Sequence, residues 1–147
     1  MQLVPYDPAA PLELPAAPGW PHADTADGLA FAQAGGWTWL VLDDDGRVAG
    51  ECGIKAPPDA DGVVEIGYGL AAPSRGRGLG RRVVAALVAE LSARPGVQRI
   101  EAEVHVGNVA SRRVLEANGF GLADVHGTVA RFALEVDGGL NGTRPPG

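Results

Sequence analysis

The sequence predicts an α/β domain on a mixed, mostly antiparallel central sheet with flanking helices. Three observations lead there. Short strands joined by tight turns run from Trp37 to Leu70. Two segments of helical periodicity, with a strand between them, run from Leu79 to Asn118. A loop rich in glycine and arginine joins the two halves. At 147 residues the chain suits one domain with a real core.

The elements follow in order. Pro5, Pro8, Pro11, Pro15, Pro18 and Pro21 restrict residues 1–22 to an extended arm, with one edge strand near Gln2–Pro5. Residues 23–137 form the expected domain and 138–147 a flexible tail. Thr25-Ala26-Asp27 opens a short helix, Asp27–Ala34, which Gly35-Gly36 stops. Trp37–Leu42 is a strand, Asp43-Asp44-Asp45-Gly46 a hairpin turn, and Arg47–Lys55 the returning strand. Ala56–Gly62 is a polar loop before a third strand, Val63–Leu70. Val83, Val84, Leu87, Val88 and Leu91 then recur as one apolar helical stripe, ended by Arg94-Pro95-Gly96. Val97–Val106 is a strand, and Asn108 caps a second helix that runs to Asn118-Gly119, where glycine suits the left-handed turn. Thr128–Val136 closes the domain as a strand.

Composition removes several function classes. A net charge of −6 argues against a nucleic-acid binder that relies on phosphate contacts, and suits a cationic ligand. No apolar stretch is long enough to span a bilayer, and no basic n-region precedes an apolar h-region. A cytoplasmic location, without membrane attachment, is the expectation. Cys52 is the lone cysteine, which excludes an intrachain disulfide, and the scattered His22, His105 and His126 have no metal-site spacing.

The stretch from Tyr68 to Arg82 carries the most chemical information. A strand enters a turn with Gly76, Gly78 and Gly80, and the turn opens onto a helix. The first N–H groups of a helix lack partners and its dipole favours an anion there. Four of the twelve cationic residues, Arg75, Arg77, Arg81 and Arg82, lie in the same loop of an otherwise acidic chain. A phosphate site is the reading. A P-loop would need Lys and Ser/Thr after the last glycine, where Arg81-Arg82 stand, and the Gly-x-Gly-x-x-Gly spacing of dinucleotide sites is not met.

The spacing Arg75-x-x-Gly78-x-Gly80 resembles the pyrophosphate loop of GNAT acetyltransferases. Glu65-Ile66-Gly67-Tyr68 is similar to a strand of the subgroup related to ribosomal-protein N-terminal acetyltransferases. Asn108-x-x-Ser111-x-x-Val114-Leu115-Glu116-x-x-Gly119-Phe120 is similar to that subgroup's second helix. The resemblance runs from Trp37 to Phe132. It implies a sheet splayed into a V and acetyl-CoA as cosubstrate, with no metal. It also implies direct transfer of the acetyl group to a primary amine, on a small molecule or a peptide. On this resemblance, backbone N–H groups of Arg77, Gly78, Gly80 and Arg81 hold the pyrophosphate, while Arg75 and Arg82 add charge. The pantetheine arm lies along Ile66, Tyr68 and Leu70, with Asn108 and Ser111 facing it. The resemblance further allows a homodimer.

A protonated amine must lose a proton before it attacks, and the oxyanion and leaving thiolate need donors. Strand alternation puts Glu101, Glu103 and His105 on one face. Glu103 and Glu65 match positions that carry the base in different relatives, with Glu103 the slightly favoured of the two. The tyrosine that many relatives use as acid is replaced by Leu115, which leaves Ser111 as the best substitute. Ser111 also suits helix capping. Cys52 reads as a buried apolar thiol. A non-catalytic acyl-CoA-binding or sensing domain is the alternative function.

Overall fold

The structure, a computed structural model, describes residues 1–136. Seven strands form one sheet: β1 (Gln2–Pro5), β2 (Trp37–Leu42), β3 (Val48–Ile54), β4 (Val63–Leu70), β5 (Arg99–His105), β6 (Gly121–His126) and β7 (Val129–Glu135). Their order across the sheet is β1-β2-β3-β4-β5-β7-β6. Three α-helices join them: α1 (Thr25–Gln33), α2 (Leu79–Ser92) and α3 (Val109–Ala117).

The strands β1 to β4 pair antiparallel with their neighbours, as do β5, β7 and β6. The junction differs. β4 and β5 run parallel, and their pairing ends at Ile66–Ala102. β4 continues to Leu70 and β5 to His105 without further pairing to each other, so the sheet opens into the expected V.

Beneath one face lies the main core. Leu79, Val83, Val84, Leu87 and Leu91 of α2 are all buried and pack with Ile66, Ile100, Leu115 and Phe132. Burial of such a side chain stabilises by roughly 1.5–3 kcal/mol, which is why the apolar stripe fixes α2 on the sheet. The other face is covered by α1 only over β2 to β4. Over β5 and β7 it carries charge: Arg99 pairs with Glu101 and Glu135, and Arg131 with Glu101, Glu103 and Asp124.

Three boundaries differ from the sequence reading. α1 starts two residues early, at Thr25, whose hydroxyl accepts the backbone N–H of His22. The final strand is one half of a hairpin whose other half, β6, was not expected. All six β6 residues are exposed, so no buried alternation marks them, and Gly121 and Asp124 are poor strand formers. The arm of residues 1–22 is anchored to the sheet: β1 pairs with β2, Ala16 bridges to Val48, and Ala17 is buried. The expected tail, residues 138–147, lies outside the described residues.

Candidate active site

The V opens onto a cleft of ≈ 510 Å³. Its walls are α1, the middle of β3, the end of β4, the glycine-arginine loop and the start of α3, represented by Phe31, Glu51, Tyr68, Arg75, Asn108 and Ser111.

Backbone direction on β4 follows from two hydrogen bonds to β3. Glu65 C=O accepts from Lys55 N–H at 3.1 Å, and Ala71 N–H donates to Ala49 C=O at 2.8 Å. Backbone groups alternate sides along a strand, so Glu65, Gly67, Gly69 and Ala71 face β3. Ile66, Tyr68 and Leu70 face β5. Past Ile66 there is no β5 partner, which leaves the Tyr68 and Leu70 groups turned into the gap. Leu70 C=O accepts from Arg75 Nε at 3.0 Å, which ties that arginine to the strand end.

Gly76 and Gly78 adopt φ of +77° and +78°, a region that other residues enter at a cost. Gly78 is the N-cap of α2, and no acidic side chain sits in the first turn. The free N–H groups there, with the helix dipole, favour an anion. Gly80 lies on the helix, where an added Cβ would sit 3.6 Å from Val114 and 3.8 Å from Leu70. Arg77 and Arg81 are exposed. Arg82 is engaged elsewhere: its Nη1 and Nη2 donate to Asp44 at 3.1 and 3.0 Å. The Asp44 carboxyl is held well below the usual carboxylate range by Arg82 and by the N-terminal ammonium.

Asn108 caps α3 by accepting the Ser111 N–H at 3.1 Å. The cap is therefore the asparagine side chain, and Ser111 contributes its backbone alone. Next to Ser111 lies the Tyr68 hydroxyl, buried and without a hydrogen bond of proper geometry. Burial pushes the Tyr68 pKa up, and the neighbouring Ser111 opposes this only in part. Leu115 is fully buried in the core.

The structure brings Tyr68, Leu70, Arg75, Gly80, Asn108 and Ser111 together around one cleft. It does not bring the two expected bases there. Glu103 stands on the charged face of β5, paired to Arg131 at 3.3 Å. Glu65 pairs with Lys55. Neither lines the cleft. Alternation groups Glu101, Glu103 and His105 correctly on one face, but α1 does not cover that stretch of it and none of the three lines the cleft.

A different carboxylate does line the cleft. Glu51 of β3 is 3% exposed. Its Oε2 is 2.7 Å from His22 Nε2, and its Oε1 accepts from Trp20 Nε1 at 3.2 Å. Sequence reasoning passed over Glu51 because its partners come from the proline-rich arm, thirty residues upstream.

A family model described as an acetyltransferase (GNAT) domain matches residues 6–121. The chain belongs to this family. Mycothiol acetyltransferase of Beutenbergia cavernae is 37% identical over 89 residues, covering 60% of this chain and 29% of the relative. An uncharacterized N-acetyltransferase, YjdG, of Bacillus subtilis is 25% identical over 111 residues, covering 69% of this chain and 66% of the relative. The chain thus spans less than two thirds of the length of either curated relative. Among solved structures, the ribosomal L7/L12 alpha-N-protein acetyltransferase RimL, in complex with coenzyme A, superposes with a TM-score of 0.65 at 22% identity. That match covers 74% of this chain and 67% of RimL, and it carries the fold.

Proposed function

We propose that this chain binds acetyl-CoA and transfers its acetyl group to a primary amine by direct attack within a ternary complex. The observation that carries the reading is the opening between β4 and β5, which meets the N-terminus of α2. One free backbone edge, at the Tyr68 groups and the Leu70 N–H, ends beside one anion-favouring helix start. An extended amide-bearing arm that ends in a pyrophosphate needs both, in that order. The fold is shared with RimL, whose solved structure holds coenzyme A, and this supports a coenzyme A ligand.

In this reading, N–H groups of Arg77, Gly78, Gly80 and Arg81 receive the pyrophosphate. Arg75 and Arg82 supply charge, and Asp44 moderates the latter. Tyr68 and Leu70 guide the pantetheine arm, while Ile66, still paired to β5 and buried, marks where the free edge begins. Ser111 donates to the thioester sulfur, with Asn108 fixing the helix turn that carries it. Tyr68, a neutral phenol at neutral pH, backs Ser111 as a hydrogen-bond donor. Glu65 and Glu103 receive no proton-transfer role, since both are engaged outside the cleft.

The core position of Leu115 favours a second reading, a domain that binds acyl-CoA without transfer, because no side chain there can act as an acid. Thiol release from acetyl-CoA across alkyl amines, peptide N-termini and aminoglycosides separates the two. Release that depends on the amine is expected. CoA binding with no release for any amine selects the second reading, and absence of CoA binding removes both.

A further inference from the structure

Glu51 sits in a space made for it. An added Cβ on Gly28 of α1 would lie 2.8 Å from Glu51 Cγ, and one on Gly69 of β4 would lie 2.7 Å from Glu51 Oε2. Both contacts are too close for a real side chain. Gly28 lies inside a helix, where glycine costs about 1 kcal/mol relative to alanine. Helix stability is therefore given up where the carboxylate needs room.

The hydrogen bonds around Glu51 also have a defined direction. Asp24 N–H donates to His22 Nδ1 at 3.1 Å, so Nδ1 carries no proton. The proton of the neutral ring is then on Nε2, which donates to Glu51 Oε2. His22 cannot be a base in this arrangement, since one nitrogen is occupied and the other is already protonated. Trp20 Nε1–H donates to the second oxygen. Two donors hold an anionic carboxylate, and its remaining acceptor capacity is available to the cleft that Glu51 lines. Asp24 and Asp27 line the same cleft, and Arg75 is the one arginine or lysine among the lining residues.

We propose that Glu51 seats the ammonium group of the acceptor and takes its proton, which makes the acceptor a cationic alkyl amine admitted between α1 and β4. The inference rests on the acetyl-transfer reading above. One proton passes from the ammonium to Glu51, and the freed nitrogen lone pair attacks the thioester carbonyl carbon. The C–S bond breaks with its electron pair on sulfur. A second N–H proton passes to sulfur, giving the amide and the free thiol, and Glu51 returns its proton to solvent.

The test compares two acceptors with wild type, Glu51→Gln and Glu51→Asp. Butylamine is protonated at pH 7, whereas trifluoroethylamine is already neutral. Glu51→Gln should lower kcat/KM for butylamine by about 100-fold, the scale of a lost general base, and by less than about tenfold for trifluoroethylamine. Glu51→Asp, which keeps the charge, should recover part of the butylamine rate. CoA affinity in both variants should stay within about twofold of wild type, since Glu51 bonds to His22 and Trp20 and to no residue of the pyrophosphate loop. No loss, an equal loss for both amines, or equal rates in the Asp and Gln variants would overturn the assignment. Wild-type protein that acetylates a peptide N-terminus or an aminoglycoside but neither alkyl amine would overturn the alkyl-amine assignment alone. CoA binding with no release for any amine would overturn the acetyl-transfer reading itself, and Glu51's role with it.

Discussion

Ile66 and Ala102 form the last rung of the parallel pair between β4 and β5. Beyond it the amides of Tyr68 and Leu70 point into the V with no strand to receive them. Hydrogen exchange should therefore be faster at these two than at Gly67 and Gly69, which face β3. Addition of CoA should slow Tyr68 and Leu70 selectively. Equal protection of all four amides in the free protein would contradict the backbone directions.

Gly78 makes a separate point about conformation. An added Cβ there meets nothing within 4 Å, yet its φ is +78°. Gly78→Val should lose CoA binding through backbone geometry rather than collision. The left-handed region costs a non-glycine residue roughly 1–2 kcal/mol, more for a β-branched one. Calorimetric titration of CoA should show at least about tenfold weaker binding, and a lowered Tm should accompany it. Binding like wild type would sink the loop assignment.

Asp44 competes with the proposed coenzyme site for Arg82. Asp44→Asn should free the guanidinium and remove a negative charge beside the loop. CoA affinity should rise about two- to fivefold at low salt, the scale of an exposed ion pair, and the gain should shrink in ~0.5 M salt. An unchanged affinity at low salt would mean that Arg82 plays no part in phosphate binding.

Tyr68 and Cys52 both titrate above their ordinary values, mainly because burial disfavours the charged form; Glu51 adds to the effect on Cys52. The folded state thus holds protons that the unfolded state releases at alkaline pH. Their contribution is full below the ordinary thiol value of 9.0 and the phenol value of 10.0, and is lost as pH rises through the folded values. Denaturant midpoints should fall above about pH 9, and the double variant Cys52→Ala/Tyr68→Phe should show a flatter alkaline limb. Parallel limbs would exclude these two groups as the cause.

The fold was legible wherever one-sided burial wrote a period into the chain. The stripe Val83, Val84, Leu87, Leu91 marked α2, and the turn Asp43 to Gly46 marked the β2–β3 hairpin. β6 was illegible because it buries nothing. At the site, the coenzyme side was readable because loop, charge and helix start are contiguous in sequence. The acceptor side was not. Glu51 becomes a candidate only when His22 and Trp20 from the arm, Gly28 from α1 and Gly69 from β4 converge on it. Alternation likewise could not tell which stretch of a charged face lies under α1 and which is open to solvent, so Glu103 and Glu65 read as bases and Glu51 did not.

The packing of Gly28 and Gly69 around Glu51 binds three distant positions into one unit of inheritance. A larger residue at 28 is tolerable only where the side chain at 51 is shorter, and one at 69 must also displace His22. A glutamate at 51 can arise only on a background already holding both glycines. The order of change is therefore fixed: position 51 shortens first, and positions 28 and 69 can grow only afterwards.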